Sequence, residues 1–206
     1  MRGLLAVLGV VVGLLGPLPA VLAQVVPAQA LAAVTAPPLM PGAGSQHPDV
    51  VIVEYMDYNC PYCRKMAPDL DRLVHTDPHV QIYFKDWPIL GDTSIYAARS
   101  ALAANWQGKY LIAHNALIGA RVDLDKNSAV DAVLRAAGLD LRRLDADRKA
   151  HAREIDALLA RSERETRALG LRGTPGLLVG RHLRSSALNL QQLQGLVAQS
   201  RSAGKK

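Results

Sequence analysis

Two cysteines, Cys60 and Cys63, are the only sulfhydryls in the 206 residues, and they stand two residues apart in Cys60-Pro61-Tyr62-Cys63. Three chemistries use such a pair: a structural crosslink, a metal site, or thiol–disulfide exchange. The crosslink is the weakest, because closing so short a loop removes little chain entropy. A metal site would draw in His75 and His79, whose spacing from the cysteines is close to that of a zinc finger. Pro78 stands between these histidines and keeps them off a shared helical turn, and Pro61 spoils the usual metal-binding hairpin. The sequence is therefore read as holding no metal and no cofactor. Exchange needs one activated thiolate and a second thiol to resolve the mixed disulfide.

The elements around the pair fit that need. Residues 50–53 are Val-Val-Ile-Val, a continuous β-branched run that predicts a strand buried on both faces, continued by Glu54, Tyr55 and Met56. Residues 57–59 make a short loop. A helix then starts at Pro61, a residue suited to the first turn because its missing N–H would have no partner there. Cys60 thus lies at a helix N-terminus, where backbone amides and the helix dipole favour a thiolate. Cys63 lies a turn further in, is more shielded, and is placed to resolve. The helix is expected to run to about residue 76, with Met66, Leu70, Leu73 and Val74 as its apolar stripe and a kink at Pro68.

Val80, Ile82 and Phe84 alternate with Gln81 and Tyr83, predicting a second core strand over residues 80–84, with Lys85 following. Trp87 to Gly91 reads as a loop, with Trp87 packing. Residues 92–169 show no strand. They predict helices over 93–106, 109–118 and 128–137, a helical turn over 141–147, and a long amphipathic helix from about residue 148 to Leu169. His114 and His151 in this block read as surface or packing residues. Gly173-Thr174-Pro175 opens a strand over 176–179, a turn follows at 180–182, and residues 183–186 pair back. Asn189 can cap a last helix running to about residue 200.

Domain divisions follow: residues 1–23 as a cleaved signal, 24–48 as a flexible leader, 49–91 and 171–200 as two parts of one sheet domain, 92–170 as a helical insertion, and 201–206 as a frayed tail. The signal rests on the Met1-Arg2 start, the apolar run over 3–15, and the small residues ending at Ala23, which would leave Gln24 first. The apolar run is short for a membrane span, so an uncleaved anchor is the lesser reading. Export would place the chain where disulfides persist. The net charge is +6, with basic residues interleaved with acids and no aromatic-studded basic stripe, so nucleic-acid binding is not expected.

Residues 54–63 (Glu-Tyr-Met-Asp-Tyr-Asn-Cys-Pro-Tyr-Cys), together with Phe84 to Gly91 and Gly173-Thr174-Pro175, resemble the DsbA-like family of thiol–disulfide oxidoreductases, and more narrowly its Com1-like branch. The resemblance spans roughly residues 50–197. It implies an α/β thioredoxin fold with an inserted helical domain, and an enzyme that exchanges disulfides with substrate proteins outside the cytoplasm. It implies catalytic roles for Cys60, Cys63 and Glu54, the last as a buried acid beneath the second cysteine that could move a proton to or from it. It implies substrate contacts from Pro61, Tyr62, Thr174 and Pro175, with the Thr174–Pro175 bond cis and Thr174 offering backbone hydrogen bonds to an extended substrate strand. In some members a lysine on the second strand approaches the buried acid, which makes Lys85 a weaker candidate. A redox partner that reoxidises or reduces the pair is implied too.

Direction stays open at this point. Pro-Tyr between the cysteines lacks the histidine of the most oxidising relatives, which points to a less oxidising enzyme. The alternatives are a reductase or isomerase-type maturation factor dedicated to one partner, and a non-catalytic holdase on the same fold.

Overall fold

A computed structural model describes residues 24–36 and 41–204. The expected signal, residues 1–23, lies outside them. Along the chain come β1 (Gln24–Val25), α1 (Ala28–Thr35), β2 (Gly42–Gly44), β3 (Val50–Met56), α2 (Pro61–Thr76), β4 (Val80–Asp86), α3 (Asp92–Ala104), α4 (Tyr110–Ile118), α5 (Asn127–Ala136), α6 (Leu141–Ala150), α7 (Ala152–Ala168), β5 (Gly176–Val179), β6 (His182–Arg184) and α8 (Leu190–Ala203).

The strands form one mixed sheet in the order β1-β6-β5-β3-β4-β2. The β-branched run of β3 takes a central place, parallel to β4 and antiparallel to β5. Both faces are covered, which is why β3 reads as continuously apolar. Ile52, Glu54 and Met56 point to one face, where they meet α2, α8 and the helical block α3–α7. Val53 and Tyr55 point to the other, packed with Val26, Val34, Trp87, Leu169 and Leu178. Strand periodicity thus sorts neighbouring residues of β3 and β4 into two separate cores.

α2 buries Cys63, Met66, Leu70 and Leu73, a stripe at helical spacing, and runs unbroken through Pro68. α8 starts at a capping box in which Asn189 and Gln192 satisfy each other's backbone amides, an arrangement worth about 1 kcal/mol. Among the described residues no helix is long and apolar enough to cross a membrane.

Three expectations need correcting. The described residues within 24–48 are not a free leader: β1 pairs with β6, α1 packs Val34 on the sheet's second face, and β2 pairs with β4. The glycines there reflect close approach and not slack. A Cβ on Gly42 would meet the Ile82 carbonyl oxygen at 2.2 Å, and one on Gly44 would meet that of Val80 at 2.3 Å. The turn expected over 141–147 is a full helix, α6, and the break expected at residue 148 lies instead at His151, before α7, where the His151 ring stacks on Trp106 at 4.1 Å. The tail expected to fray from residue 201 continues α8 to Ala203. Arg201 there grips Asp49 (2.8 and 2.8 Å) and Asp77 (2.8 and 2.9 Å).

Candidate active site

Cys60 is the residue before the first turn of α2, with Pro61 opening the helix. The loop that presents it is fixed by Asp57. That side chain accepts from the Asn59 amide (2.8 Å) with one oxygen, and from the Ile89 and Leu90 amides (2.8 and 3.0 Å) with the other. The Asp57 carbonyl accepts from the Cys60 amide at 3.0 Å. Asn59 donates to the hydroxyls of Thr93 and Ser94 (3.1 and 3.0 Å), joining the loop to the start of α3. Arg64, one turn into α2, donates to the carbonyls of Ala120 and Val122 beyond α4. The cysteine loop is thereby held from three sides by groups that lie far apart in sequence.

Both cysteines are free thiols, and both are buried. The Cys60 thiol donates to the Thr174 carbonyl at 3.2 Å, across 114 residues of chain. The Thr174–Pro175 bond is cis. The Cys63 thiol, more than any other group, holds the Cys60 thiol down to about 6 by hydrogen bonding to its sulfur. Burial opposes this, and Thr174 and the amides of Tyr62 and Cys63 add to it. Cys63 is pushed far up by that same hydrogen bond, by burial and by the charge of Glu54. One sulfur is therefore poised as a thiolate and the other kept as a thiol, an asymmetry suited to attack by one and resolution by the other.

Glu54 is 2% exposed, and one of its carboxylate oxygens has no hydrogen-bond partner. Burial first, then the charges of Cys60 and Asp86, push its carboxyl up to about 8. Lys85 does not reach it. The parallel register sets Glu54 beside Phe84 and Tyr55 beside Lys85, so Lys85 points to the opposite face. There its ammonium meets the Glu165 carboxylate at 2.5 Å. The acid that does share Glu54's face is Asp86, one alternation past Phe84, and reading the strand only to Phe84 missed it. Asp86 accepts from the Tyr110 hydroxyl at 3.1 Å, and burial pushes its carboxyl up to about 7.

A groove of about 830 Å³ runs from Tyr62 and Met66 past Thr174 and Pro175 to residues 185–189 at the start of α8. It brings together three of the four residues expected to touch substrate. Pro61, exposed at the top of α2, is not part of its wall. Tyr62 is 64% exposed, and Ile89 and Leu90 expose apolar area on the loop that Asp57 fastens. His75 and His79 of the zinc-finger spacing are exposed at and beyond the far end of α2, His75 roughly 18 Å along the helix from Cys63. Among the described residues no group of His, Cys, Asp and Glu could hold a metal ion. His114 is a packing residue. It is buried against Phe84 (ring centres 4.0 Å apart), and Tyr58 lies 3.2 Å from its Nδ1.

A family model of the DSBA-like thioredoxin domain matches residues 51–198. The chain belongs to that family. The fold is accordingly the thioredoxin fold with its helical insertion. A thioredoxin-like oxidoreductase from Silicibacter pomeroyi superposes with a TM-score of 0.78 at 38% identity, covering 83% of this chain and 97% of that one. The thiol-disulfide exchange protein alpha-DsbA2 from Wolbachia pipientis superposes at 0.77 with 27% identity, covering 83% and 91%. A Na(+)/H(+) antiporter NhaA 1 from Mycolicibacterium vanbaalenii is 26% identical over 133 residues, which is 63% of this chain and 21% of the antiporter. The chain thus spans about a fifth of the curated relatives it matches.

Proposed function

We propose that this chain is a thiol–disulfide oxidoreductase acting on exported proteins, with Cys60 as the attacking and attacked sulfur and Cys63 as the resolving one. The observation that carries this reading is the placing of Cys60 at the head of α2, 3.2 Å from the carbonyl before Pro175. A substrate segment lying in the groove along Tyr62, Thr174 and Pro175 would bring its own sulfur to Cys60. The backbone of Thr174 would supply short β-pairing to it. Glu54 serves as the acid and base for Cys63. The signal-like pattern of residues 1–23 supports export, and turnover requires a redox partner that resets the pair.

In the oxidising direction a substrate thiolate bonds to Cys60, and the Cys60–Cys63 bond breaks. A second substrate thiol then releases the reduced enzyme. The depressed Cys60 thiol stabilises the reduced form, which favours this direction. Pro-Tyr between the cysteines lacks a histidine donor, which weakens the preference. The two together give a reduction potential between the roughly −270 mV of thioredoxin and the roughly −120 mV of DsbA.

Equilibration with glutathione measures it, and a value at or outside either end rejects this balance. Refolding of scrambled ribonuclease tests the activity itself. Cys60→Ser should abolish it, and a variant that keeps full activity would show that Cys60 is not the attacking sulfur. Activity confined to a single partner would instead mark a dedicated maturation factor.

A further inference from the structure

Glu54 does not sit alone beneath Cys63. Asp86 lies on the same face of the sheet, on the neighbouring parallel strand and two residues beyond Glu54's register partner, a diagonal separation of roughly 7–8 Å between such positions. It is 1% exposed, and one of its oxygens, like one of Glu54's, has no hydrogen-bond partner. The groups that face the two acids are known from every side. From α2 and the loop before it come Cys60, Cys63, Asp57 and Tyr58, from α4 come Tyr110 and His114, and further along α2 Asp71 and His75, paired with each other, line the cavity that Glu54 borders. None is a permanent cation. Burial holds His114 neutral, down to about 3, and Lys85 is turned away to Glu165. Two acids thus share a buried compartment that no lysine or arginine among the described residues faces, a setting in which both cannot ionise freely. Tyr110, donating to Asp86, favours ionisation there and not at Glu54.

We propose that Asp86 is a positioning residue of disulfide exchange: its carboxylate keeps the neighbouring Glu54 carboxyl protonated, so that Glu54 delivers a proton to Cys63 as that sulfur leaves. The inference rests on the exchange reading of Cys60 and Cys63. A thiolate bonds to the Cys60 sulfur, the Cys60–Cys63 bond breaks, and its electron pair goes to the Cys63 sulfur. The Glu54 proton follows onto that sulfur and leaves a carboxylate beside Asp86. Repulsion between the two carboxylates then draws a proton back to Glu54. Its route is the cavity of about 440 Å³ that Glu54 borders between β2, α2 and α4, on the side away from the substrate groove.

The test reduces the oxidised full-length protein with glutathione from about pH 5 to about pH 10, with each rate divided by the concentration of glutathione thiolate. In the unaltered protein the corrected rate should fall as Glu54 loses its proton, with a midpoint above the ordinary carboxylate range but below about 8, because the Cys60 charge that helps to raise Glu54 in the dithiol form is absent from the disulfide. Glu54→Gln should remove that fall. Asp86→Asn keeps the shape and the Tyr110 hydrogen bond but not the charge, and should move the midpoint down by at least about half a pH unit. Asp86→Glu should restore it. Tyr110→Phe, which withdraws the larger of the two tyrosine donors that favour the Asp86 carboxylate, should move it the same way as Asp86→Asn, and decides the matter if the Asn variant does not fold. A midpoint unmoved in these variants, or a fall that survives Glu54→Gln, overturns the proposal while leaving the exchange reading intact. An oxidised protein that glutathione does not reduce at all overturns both.

Discussion

The chemistry of Cys60 is set by a neighbour only three residues away. Helix-end amides contribute to its thiolate, but the largest cause is the hydrogen bond from Cys63. The rate of alkylation by iodoacetamide should therefore rise through a midpoint near about 6. Cys63→Ala should carry that midpoint up toward the ordinary ~8.5 of a free thiol; a midpoint that stays near its original value would mean that the amides alone suffice. The linkage has a sign. Because the folded thiol lies below the unfolded one, Cys60 by itself contributes stability to the reduced native chain that grows as pH rises from about 6 and is complete above the unfolded value near ~8.5. That gain is lost as pH falls through about 6. The disulfide form has no such titration, so the denaturant midpoint of the reduced form should fall relative to that of the oxidised form on acidification. The Cys60–Cys63 pair stands out because it holds the chain's only cysteines at a local spacing, whereas Thr174-Pro175, far along the chain, is singled out only by the family resemblance. Glu54 was legible as the one charge in an apolar strand. Asp86 was not, since an acid at a strand end reads as a solvent-facing residue until the register shows what covers it.

At the level of elements, the parts that sequence described poorly are those whose meaning comes from a partner. Gly42-Ala43-Gly44 looks like linker by composition, yet these glycines let β2 approach the carbonyls of β4. Arg201 looks like the start of a basic tail, yet it joins α8 to both ends of the segment from Asp49 to Asp77, which holds β3 and α2. The groups are partly exposed, so the network is modest. Arg201→Ala should cost about 1 kcal/mol, or roughly 2–4 °C in Tm. Arg201 holds both carboxyls below their usual values. Their contribution is thus full above the unfolded carboxylate pKa near ~3.9 and lost as pH falls through the lower folded values. The unaltered and Arg201→Ala proteins should then differ in thermal midpoint at neutral pH and lose that difference below about pH 3. A gap that persists in acid would assign the effect to packing of the arginine stem.

The whole molecule is tied together on the face away from the cysteines. Glu165 of α7 accepts from Lys85 of β4 (2.5 Å), Tyr55 of β3 (2.9 Å) and Arg161 of its own helix (2.7 Å). Arg161 in turn donates to the carbonyls of Ala33 and Ala36 at the end of α1. One carboxylate thus links the helical insertion, the central sheet and the N-terminal segment. No local pattern announces it, because its members come from four places in the chain. Lys85 is 2% exposed and cannot reach water without moving. Glu165→Ala should therefore leave a buried, uncompensated ammonium and cost about 3–5 kcal/mol, enough to lower Tm by roughly 6–20 °C. Replacing both partners, as Lys85→Met with Glu165→Leu, removes the charge along with its partner and should recover most of that loss. Calorimetry of the two variants separates the alternatives. If the double variant is as unstable as the single one, the cluster matters through Tyr55 and Arg161, and the sheet and the helices are held by their hydrogen bonds and not by the ion pair.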